Sequence, residues 1–430
     1  MRSRTRWGIA VAVTATLAVL AGLGFSLANA TGTSSIDPTI DAALARFQHQ
    51  QITWHGCRLG SGDGDGQALD AGGAQCADIT VPLDYGHPNG RTITVALSRF
   101  MATDTAHRIG IMIFNLGGPA LPALTEVLAA HQALRDTAAR FDLIGMDPRF
   151  TNRSSPLDCG LSNDWLLLSA GVDRRSFDRS VRRAKDVADK CVQTHGDELP
   201  YTSTANTARD MDVIRAALGE AKLSYLGLSY GSYLGAVYTQ LFGPHVDRIV
   251  LDSAIDPARP GTLLMVDAGT AREAGLRDWT AWAARHDAQY HLGATPAAVV
   301  SVVDRIYQSS AGHPLHVGPY LVDDSVVVGA MFDPLSDDSD TSNDELANIV
   351  KVFDQAATTG SAQPAPDPLA TRLRGMLTGL DSDKHSARAA IQCADATVTR
   401  DPESYWRDIQ AHRATEPLFG PYDRNITPCA

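Results

Sequence analysis

The stretch that most constrains the fold lies at residues 222–235 and reads KLSYLGLSYGSYLG. Its centre is a G-x-S-x-G pentapeptide, formed around Gly227, Ser229 and Gly231. An apolar run precedes the serine and apolar residues at helical spacing follow it, so the pattern predicts a buried strand, a sharp turn and a helix. Glycines are needed two residues before and after the serine, because the two backbones nearly touch there. Such a turn holds a serine hydroxyl clear of the sheet as a nucleophile. The alternative is an ordinary surface serine.

Short apolar runs alternate with helical patterns through the first half of the chain. Strands are predicted near residues 77–82, 93–97, 109–114, 141–146, 223–228 and 246–251, and helices at 36–50, 124–140, 174–194, 206–218 and 230–241. This alternation indicates an α/β fold with a mostly parallel sheet flanked by helices. Ligands bind at the carboxyl ends of such strands. We therefore expect the Gly-Gly-Pro at 117–119, the Asp-Pro-Arg at 147–149 and Ser229 to gather at one edge.

The pattern changes after residue 256. Helices are predicted over 261–289, 296–309, 344–357, 367–377 and 385–399, and strand signals are sparse. We interpret residues 31–256 as the core, 257–419 as a helical cap, and 420–430 as the start of a core segment that is cut short.

Two polar stretches are predicted to be loops. Residues 60–73 are rich in Gly and Asp, and residues 337–345 are acidic. Neither has the spacing of a calcium-binding loop. The first is predicted to be flexible and the second to be solvated.

Charge and the N-terminus limit the partners and the location. Asp and Glu number 49 against 37 Lys and Arg, a net charge of −12, which disfavours nucleic acid and anionic membranes as partners. Three arginines, an uncharged stretch at 8–27 and an Ala-x-Ala at 28–30 predict a signal peptide over 1–30. The mature chain would then be secreted and not held in a membrane. The alternative is an uncleaved membrane anchor, since the apolar run is long enough to span a bilayer.

Six cysteines follow the predicted signal, and an even number in an exported chain indicates disulfides. They fall into three local couples, so we predict the pairs Cys57–Cys76, Cys159–Cys191 and Cys393–Cys429. None has metal-ligand spacing with histidine, so no metal site is predicted. No cofactor is predicted either.

An enzyme that transfers acyl groups needs a nucleophile, a base, an acid that orients the base, and an oxyanion hole. Ser229 is the candidate nucleophile. The hole requires two backbone N–H groups, which we assign to Tyr230, directly after the serine, and to Gly118 in the loop after an earlier strand. The alternative for the glycine loop is a simple turn.

Several further motifs accompany the serine. They are VPLDY at 81–85, NLGGP at 115–119, DPR at 147–149, SPLDC at 155–159, TARDMD at 207–212, VLD at 250–252 and AIQCAD at 390–395. In this order they resemble the secreted bacterial tripeptidyl aminopeptidases, relatives of the proline iminopeptidases in the α/β-hydrolase superfamily. The resemblance runs from about residue 54 to 429.

The resemblance implies an α/β-hydrolase fold and a serine exopeptidase that acts on peptides with a free N-terminus. It also implies a cap that shapes the acyl pocket and an acidic cap residue that binds the substrate amine. Asp395 is the candidate for that residue, and a structural role beside a disulfide is the alternative.

The chain departs from the family pattern in its loops. Ala120 and Leu121 follow the Gly-Gly-Pro where the oxyanion loop of the family continues with glycines, and Phe150 and Asn152 replace two glycines after the Asp-Pro. We expect these side chains to narrow the site or to strain its loops.

The resemblance implies that the acid and the histidine follow the cap on the last two core strands, and this chain is predicted to lack those strands. Among substitutes, Asp256 is the candidate acid after the strand at 246–251, with Asp252 close by, and a strand-end cap is the alternative. His385 and His412 are interpreted as surface residues.

Two functions follow from these features. The first is a secreted serine hydrolase of the aminopeptidase type, which forms an acyl-enzyme at Ser229 and has an incomplete triad. The second is an inactive, secreted homologue that binds peptides in the same cleft. An esterase or lipase is a third interpretation, which the flanking motifs disfavour.

Overall fold

A six-stranded sheet organises the molecule, which we describe from a computed structural model. The structure describes residues 38–430, so the predicted signal peptide lies outside the described residues. The strands are β1 (Gln75–Pro82), β2 (Thr92–Phe100), β3 (Gly110–Asn115), β4 (Phe141–Met146), β5 (Leu223–Leu228) and β6 (Val246–Asp252). Their order is β1-β2-β4-β3-β5-β6. The last four are parallel, and β1 and β2 pair antiparallel. The predicted mostly parallel sheet is confirmed.

Helices cover both faces of this sheet. They are α1 (Pro38–Gln48), α2 (Gly64–Gly72), α3 (Glu126–Leu134), α4 (Arg174–His195), α5 (Thr204–Ala217) and α6 (Tyr230–Phe242). Successive residues of a strand point to opposite faces, so Ile113 and Phe114 enter different apolar clusters. Ile113 shares its cluster with residues of α1, α5 and α6, and Phe114 shares its own with residues of α2 and α3.

The prediction of a flexible loop at 60–73 is wrong, because residues Gly64–Gly72 form α2. Asp63 caps the helix by accepting a hydrogen bond from the Gly66 N–H, and Gly73 ends it in left-handed backbone. Leu69 is fully buried against the core. Capping and one apolar anchor are enough to order a stretch whose composition is typical of a loop.

The second half of the chain is mainly helical, as predicted. It contains α7 (Gly269–Arg285), α8 (Asp287–Tyr290), α9 (Pro296–Gly312), α10 (Asp324–Phe332), α11 (Asp340–Thr359), α12 (Leu369–Leu377), α13 (Ser382–Asp395), α14 (Pro402–His412) and α15 (Gly420–Asp423). Most of these helices pack around a separate apolar cluster that includes Leu276, Val327 and Phe353. None of the helices within residues 38–430 is long and apolar enough to cross a bilayer.

A small sheet in this half was not predicted. It consists of β7 (Leu315–Val317), β8 (Tyr320–Val322) and β9 (Ser361–Ala362), in the order β8-β7-β9. Two or three residues are too short to display the alternation that reveals a strand.

The acidic run at 337–345 is not a solvated loop throughout. Ser339 caps α11, which begins at Asp340 inside the run. Carboxylates in a first helical turn interact favourably with the partial positive charge of that end. The interpretation as a loop was therefore wrong from residue 340 onward.

Three disulfides link Cys57 to Cys76, Cys159 to Cys191, and Cys393 to Cys429, and the predicted pairing is confirmed. The last one ties the final residues to the end of α13. Residues of α13 such as Ile391 belong to the same cluster as the sheet. Residues 420–430, interpreted above as the start of a core segment, contain the short helix α15, and Ile426 packs against Phe177 of α4.

The two edges of the sheet differ in exposure. Strand β1 buries Ile79 and Val81, whereas β6 is open to solvent along most of its length. Val250 of β6 is 55% exposed and Leu251 is 36% exposed. An apolar strand that is exposed at an edge presents unpaired backbone groups and is prone to association.

Candidate active site

The turn that carries Ser229 joins β5 directly to α6. Ser229 has φ 53° and ψ −123°, a conformation that L-residues seldom adopt outside strained functional turns. Its side chain is exposed at the carboxyl edge of the sheet. The Ser229 N–H donates to the carbonyl oxygen of Asp252 at 3.1 Å, so the end of β6 lies against the turn. The structure therefore has the strand, sharp turn and helix that the pentapeptide predicts.

The flanking glycines are required by contact between backbones. A methyl group on Gly231 would overlap the carbonyl oxygen of Asn115 at the end of β3, and one on Gly227 would overlap the backbone of Gly231. Gly235, one turn further along α6, packs against Tyr225 and Leu251 with no room for a side chain. The predicted need for small residues at these positions is confirmed.

The loop after β3 lies directly against the nucleophile. A methyl group on Gly117 would lie 3.0 Å from Cβ of Ser229 and 3.3 Å from the Tyr230 nitrogen. The Gly117 N–H is already used, because it donates to Oδ1 of Asn115. Within residues 38–430, neither the Gly118 N–H nor the Tyr230 N–H makes a recorded hydrogen bond. Both remain available as donors, and their assignment to an oxyanion hole stays a prediction.

Of the four positions where the chain departs from the family glycines, Ala120, Phe150 and Asn152 have left-handed backbone and Leu121 does not. The φ angles are 65° at Ala120, 67° at Phe150 and 46° at Asn152. Such angles are uncommon for residues other than glycine, and least so for asparagine. The expectation of strain in these loops agrees with the backbone. Phe150 is buried in the main apolar cluster, where its ring contributes packing.

Arg149, from the Asp-Pro-Arg motif, anchors the loop that follows β4. Its guanidinium makes a bidentate pair with Asp210 of α5, at 2.7 and 2.6 Å, and both side chains are fully buried. Tyr85 donates a further hydrogen bond to Asp210, at 2.7 Å. The Arg149 guanidinium also donates to backbone carbonyls, so the buried charges are paired and hydrogen-bonded. This cluster holds the loop in place and does not reach the serine.

Asp252 and Asp256 are both exposed after β6. Asp256 accepts a hydrogen bond from the Ala258 N–H at 2.9 Å, as a residue that caps a turn would. The Asp252 carboxylate accepts from the Ser253 hydroxyl. Neither carboxylate forms an ion pair with a histidine in residues 38–430. The assignment of Asp256 as the acid stays a prediction.

All thirteen histidines lie within residues 38–430, and none makes a recorded hydrogen bond to Ser229. The interpretation of His385 as a surface residue was wrong, because only 6% of it is exposed. It lies beside Asp164, with 3.4 Å between Nδ1 and Oδ1. Burial lowers the pKa of the His385 imidazole. His412 is half-buried beside Asp408.

Asp395 lies one side chain away from Tyr230. Its two oxygens accept hydrogen bonds from Thr204, at 2.8 Å from the N–H and 2.5 Å from the hydroxyl. The Thr204 hydroxyl is 2.5 Å from the Tyr230 hydroxyl. Burial raises the pKa of Asp395 to about 6. The carboxylate therefore accepts from the first N–H of α5, a helix that Ser203 caps, and it is linked through Thr204 to the residue after Ser229, while amine binding by Asp395 stays a prediction.

Two further carboxyl groups hold the oxyanion loop. Asp147 accepts from the Ala123 and Leu124 N–H groups, at 2.7 and 3.2 Å. Glu126, in the first turn of α3, accepts from the Leu116 N–H at 3.1 Å. Glu126 has no sequence signal that marks it for this role, because an acidic residue in a first helical turn is common.

Comparison with known proteins agrees with this architecture. A family described as the alpha/beta hydrolase fold matches residues 112–345. Tripeptidyl aminopeptidase from Streptomyces coelicolor is 40% identical over 257 residues, 57% of this chain and 48% of that protein. Serine protease Hip1 from Mycobacterium tuberculosis is 36% identical over 59% of this chain and 49% of that protein.

A third relative, carboxylesterase B from Mycobacterium tuberculosis, is 32% identical over 48% of this chain and 40% of that protein. The chain thus spans about half the length of the curated relatives that it matches. The family match covers more than half of the chain and includes β5, the serine turn and α6. This chain belongs to the α/β-hydrolase family and is similar to its tripeptidyl aminopeptidases.

Proposed function

We propose that this chain is a secreted serine hydrolase of the aminopeptidase type. One observation carries the proposal: Ser229 stands on a strained strand-to-helix turn against Gly117, and the N–H groups of the next residues, Tyr230 and Gly118, donate no hydrogen bond within residues 38–430. The similarity to a tripeptidyl aminopeptidase supports peptides as the substrate class. The disulfides support export, since such bonds persist in oxidising compartments.

In the proposed reaction, Oγ of Ser229 attacks the carbonyl carbon of a peptide bond. The Gly118 and Tyr230 N–H groups stabilise the oxygen as it gains negative charge. The peptide bond then breaks, the amine leaves with a proton, and water hydrolyses the acyl-enzyme. The free amine of the peptide is held in the cap, with Asp395 as the candidate partner.

The serine still requires a base, because its hydroxyl is a weak nucleophile at neutral pH. None of the thirteen histidines contacts it in the described residues. The end of β6 lies against the serine turn, and this strand is exposed along most of its length. We propose that the base approaches from this side.

Fluorophosphonate labelling tests the nucleophile. We expect an adduct at Ser229 in the purified mature chain and none in Ser229→Ala. Ser253→Ala is the matched control, because Ser253 is also exposed and near the end of β6, and it should label like the wild type. A labelled Ser229→Ala variant would show that the nucleophile is another residue.

Turnover of tripeptide amides tests the substrate class. A substrate with a free amine should be cleaved, and the same peptide with an acetylated amine should not be. Cleavage of small esters alone would favour the esterase function, which the carboxylesterase relative keeps open. Export predicts that the mature protein begins at Thr31, which N-terminal sequencing measures.

The second candidate function is peptide binding without catalysis, and the lack of histidine contact with Ser229 favours it. It predicts no labelling of folded protein, together with calorimetric binding of peptides that have a free amine. Absence of both labelling and binding would exclude it.

A further inference from the structure

Two neighbouring carboxyl groups hold the two ends of the loop at 116–124, which follows β3. Asp147 accepts from Ala123 and Leu124 at its far end. Glu126 accepts from the Leu116 N–H at its near end, at 3.1 and 3.3 Å to its two oxygens. These bonds run from backbone N–H groups of the loop to carboxyl groups outside it. The two carboxyl groups therefore hold the loop backbone at both ends.

The near end of this loop is the part that touches the nucleophile. Gly117, the residue after Leu116, lies against Cβ of Ser229 and the Tyr230 nitrogen. Gly118 follows, with the N–H assigned to the oxyanion hole. Consecutive Cα atoms are about 3.8 Å apart, so the Glu126 carboxyl lies within two or three residue lengths of the developing charge.

We propose that Glu126 is a positioning residue whose own charge controls the reactivity of Ser229. In its neutral form it holds Leu116 without placing negative charge beside the oxyanion hole. In its ionised form it repels the negative charge that develops there. The inference rests on the proposed acyl transfer at Ser229.

The surroundings of Glu126 support this role. The pKa of its carboxyl is raised to about 8: burial is the largest cause, the hydrogen bond from Leu116 acts in the opposite direction, and the negative charge of Asp147 adds to the rise. The other titratable group that interacts with it is Tyr225 of β5. No cation appears among the groups that act on Glu126 within the described residues.

The direction of the effect follows from these charges. Below about pH 8 the Glu126 carboxyl is mainly neutral and adds no negative charge of its own beside the hole. Above pH 8 it ionises, and like charges in a partly buried site repel strongly. Reactivity that depends on the oxyanion hole should therefore fall as the pH rises through 8.

The first experiment measures the rate of fluorophosphonate labelling from pH 6 to 10 in the wild type and in Glu126→Gln. Glutamine stays neutral and keeps an acceptor for Leu116. We expect the ratio of the Glu126→Gln rate to the wild-type rate to rise at least threefold between pH 7 and pH 9.5. Glu403→Gln, which alters an exposed carboxyl of α14, should show a constant ratio. A constant ratio for Glu126→Gln would overturn the proposal.

Two measurements keep the inference testable if Ser229 does not label. The chain has seven glutamates, so ¹³C labelling of the glutamate side-chain carboxyls gives seven NMR signals. The signal that is missing in Glu126→Gln belongs to Glu126, and in the wild type it should titrate near pH 8. Amide hydrogen exchange at 116–118 should accelerate in Glu126→Ala and not in Glu126→Gln. A titration near pH 4.5, or unchanged exchange in Glu126→Ala, would overturn the role of Glu126. Failure of labelling alone would overturn only the proposed function.

Discussion

The serine turn keeps its glycines, whereas the loops after β3 and β4 replace some of theirs with residues that have side chains. At the turn, Gly227 and Gly231 remain glycine, and a methyl group at either position would overlap main-chain atoms. In the loops, Ala120 and Phe150 have left-handed φ angles and still carry side chains. Contact between two backbones excludes every side chain, whereas a positive φ costs an L-residue only about 1–2 kcal/mol. The chain therefore departs from the glycine pattern where the cost is small.

The largest effect is expected for Gly231→Ala. Its methyl group would overlap the Asn115 carbonyl oxygen, so β3 and α6 would have to separate, and overpacking of this kind costs about 3 kcal/mol. Thermal unfolding should show a clear fall in Tm, with loss of any labelling at Ser229.

Gly243→Ala is the matched control at the other end of α6. Nothing lies within 4 Å of the position that its methyl group would occupy, and its φ is −49°. Its Tm should equal or slightly exceed that of the wild type. A Gly231→Ala variant as stable as this control would show that the turn tolerates a side chain.

A smaller effect separates Phe150→Gly from Phe150→Ala. Both lose the buried ring, at about 3–5 kcal/mol for the alanine variant. At φ 67° glycine relieves about 1–2 kcal/mol of left-handed strain, but it loses a methyl group, about 0.8 kcal/mol, and has greater entropy when unfolded, about 0.5–1 kcal/mol. We therefore expect the two variants to differ by less than about 0.5 kcal/mol.

Phe177 is also buried but lies in α4, where the backbone is helical and glycine relieves no strain. There the glycine variant should be less stable than the alanine variant by about 1 kcal/mol, because glycine weakens a helix interior. Chemical denaturation of the four variants measures both differences. A glycine penalty at Phe150 as large as the one at Phe177 would contradict the account of strain at Phe150.

The smallest effect is expected for Ala120→Gly. Relief of about 1–2 kcal/mol of left-handed strain is opposed by loss of a buried methyl, about 0.8 kcal/mol, and by the greater entropy of glycine when unfolded, about 0.5–1 kcal/mol. The free energy of unfolding should change by less than about 0.5 kcal/mol. Denaturant titration would contradict this balance if it showed a gain or loss above about 1 kcal/mol.

Periodicity was a reliable guide where an element had length and a single buried face. Strands β4 and β5 have the predicted bounds, and α4 begins at the predicted Arg174. It failed for α2, which capping orders, and for the small sheet of the cap, whose strands are too short to show alternation. Periodicity also did not reveal that His385 is buried, because the burial of one polar side chain depends on what packs over it.

The sequence by itself determined the strand–turn–helix around Ser229, the mostly parallel sheet and the pairing of the six cysteines. These follow from local periodicity, from a fixed glycine pattern and from spacing along the chain. Only the tertiary structure decided that Glu126 and Asp147 hold the same loop, that Asp395 accepts from the first N–H of α5, and that β6 is an open edge beside Ser229 within residues 38–430. Each of these depends on contacts between residues far apart in sequence or on the lack of a neighbour, and no local pattern records either one.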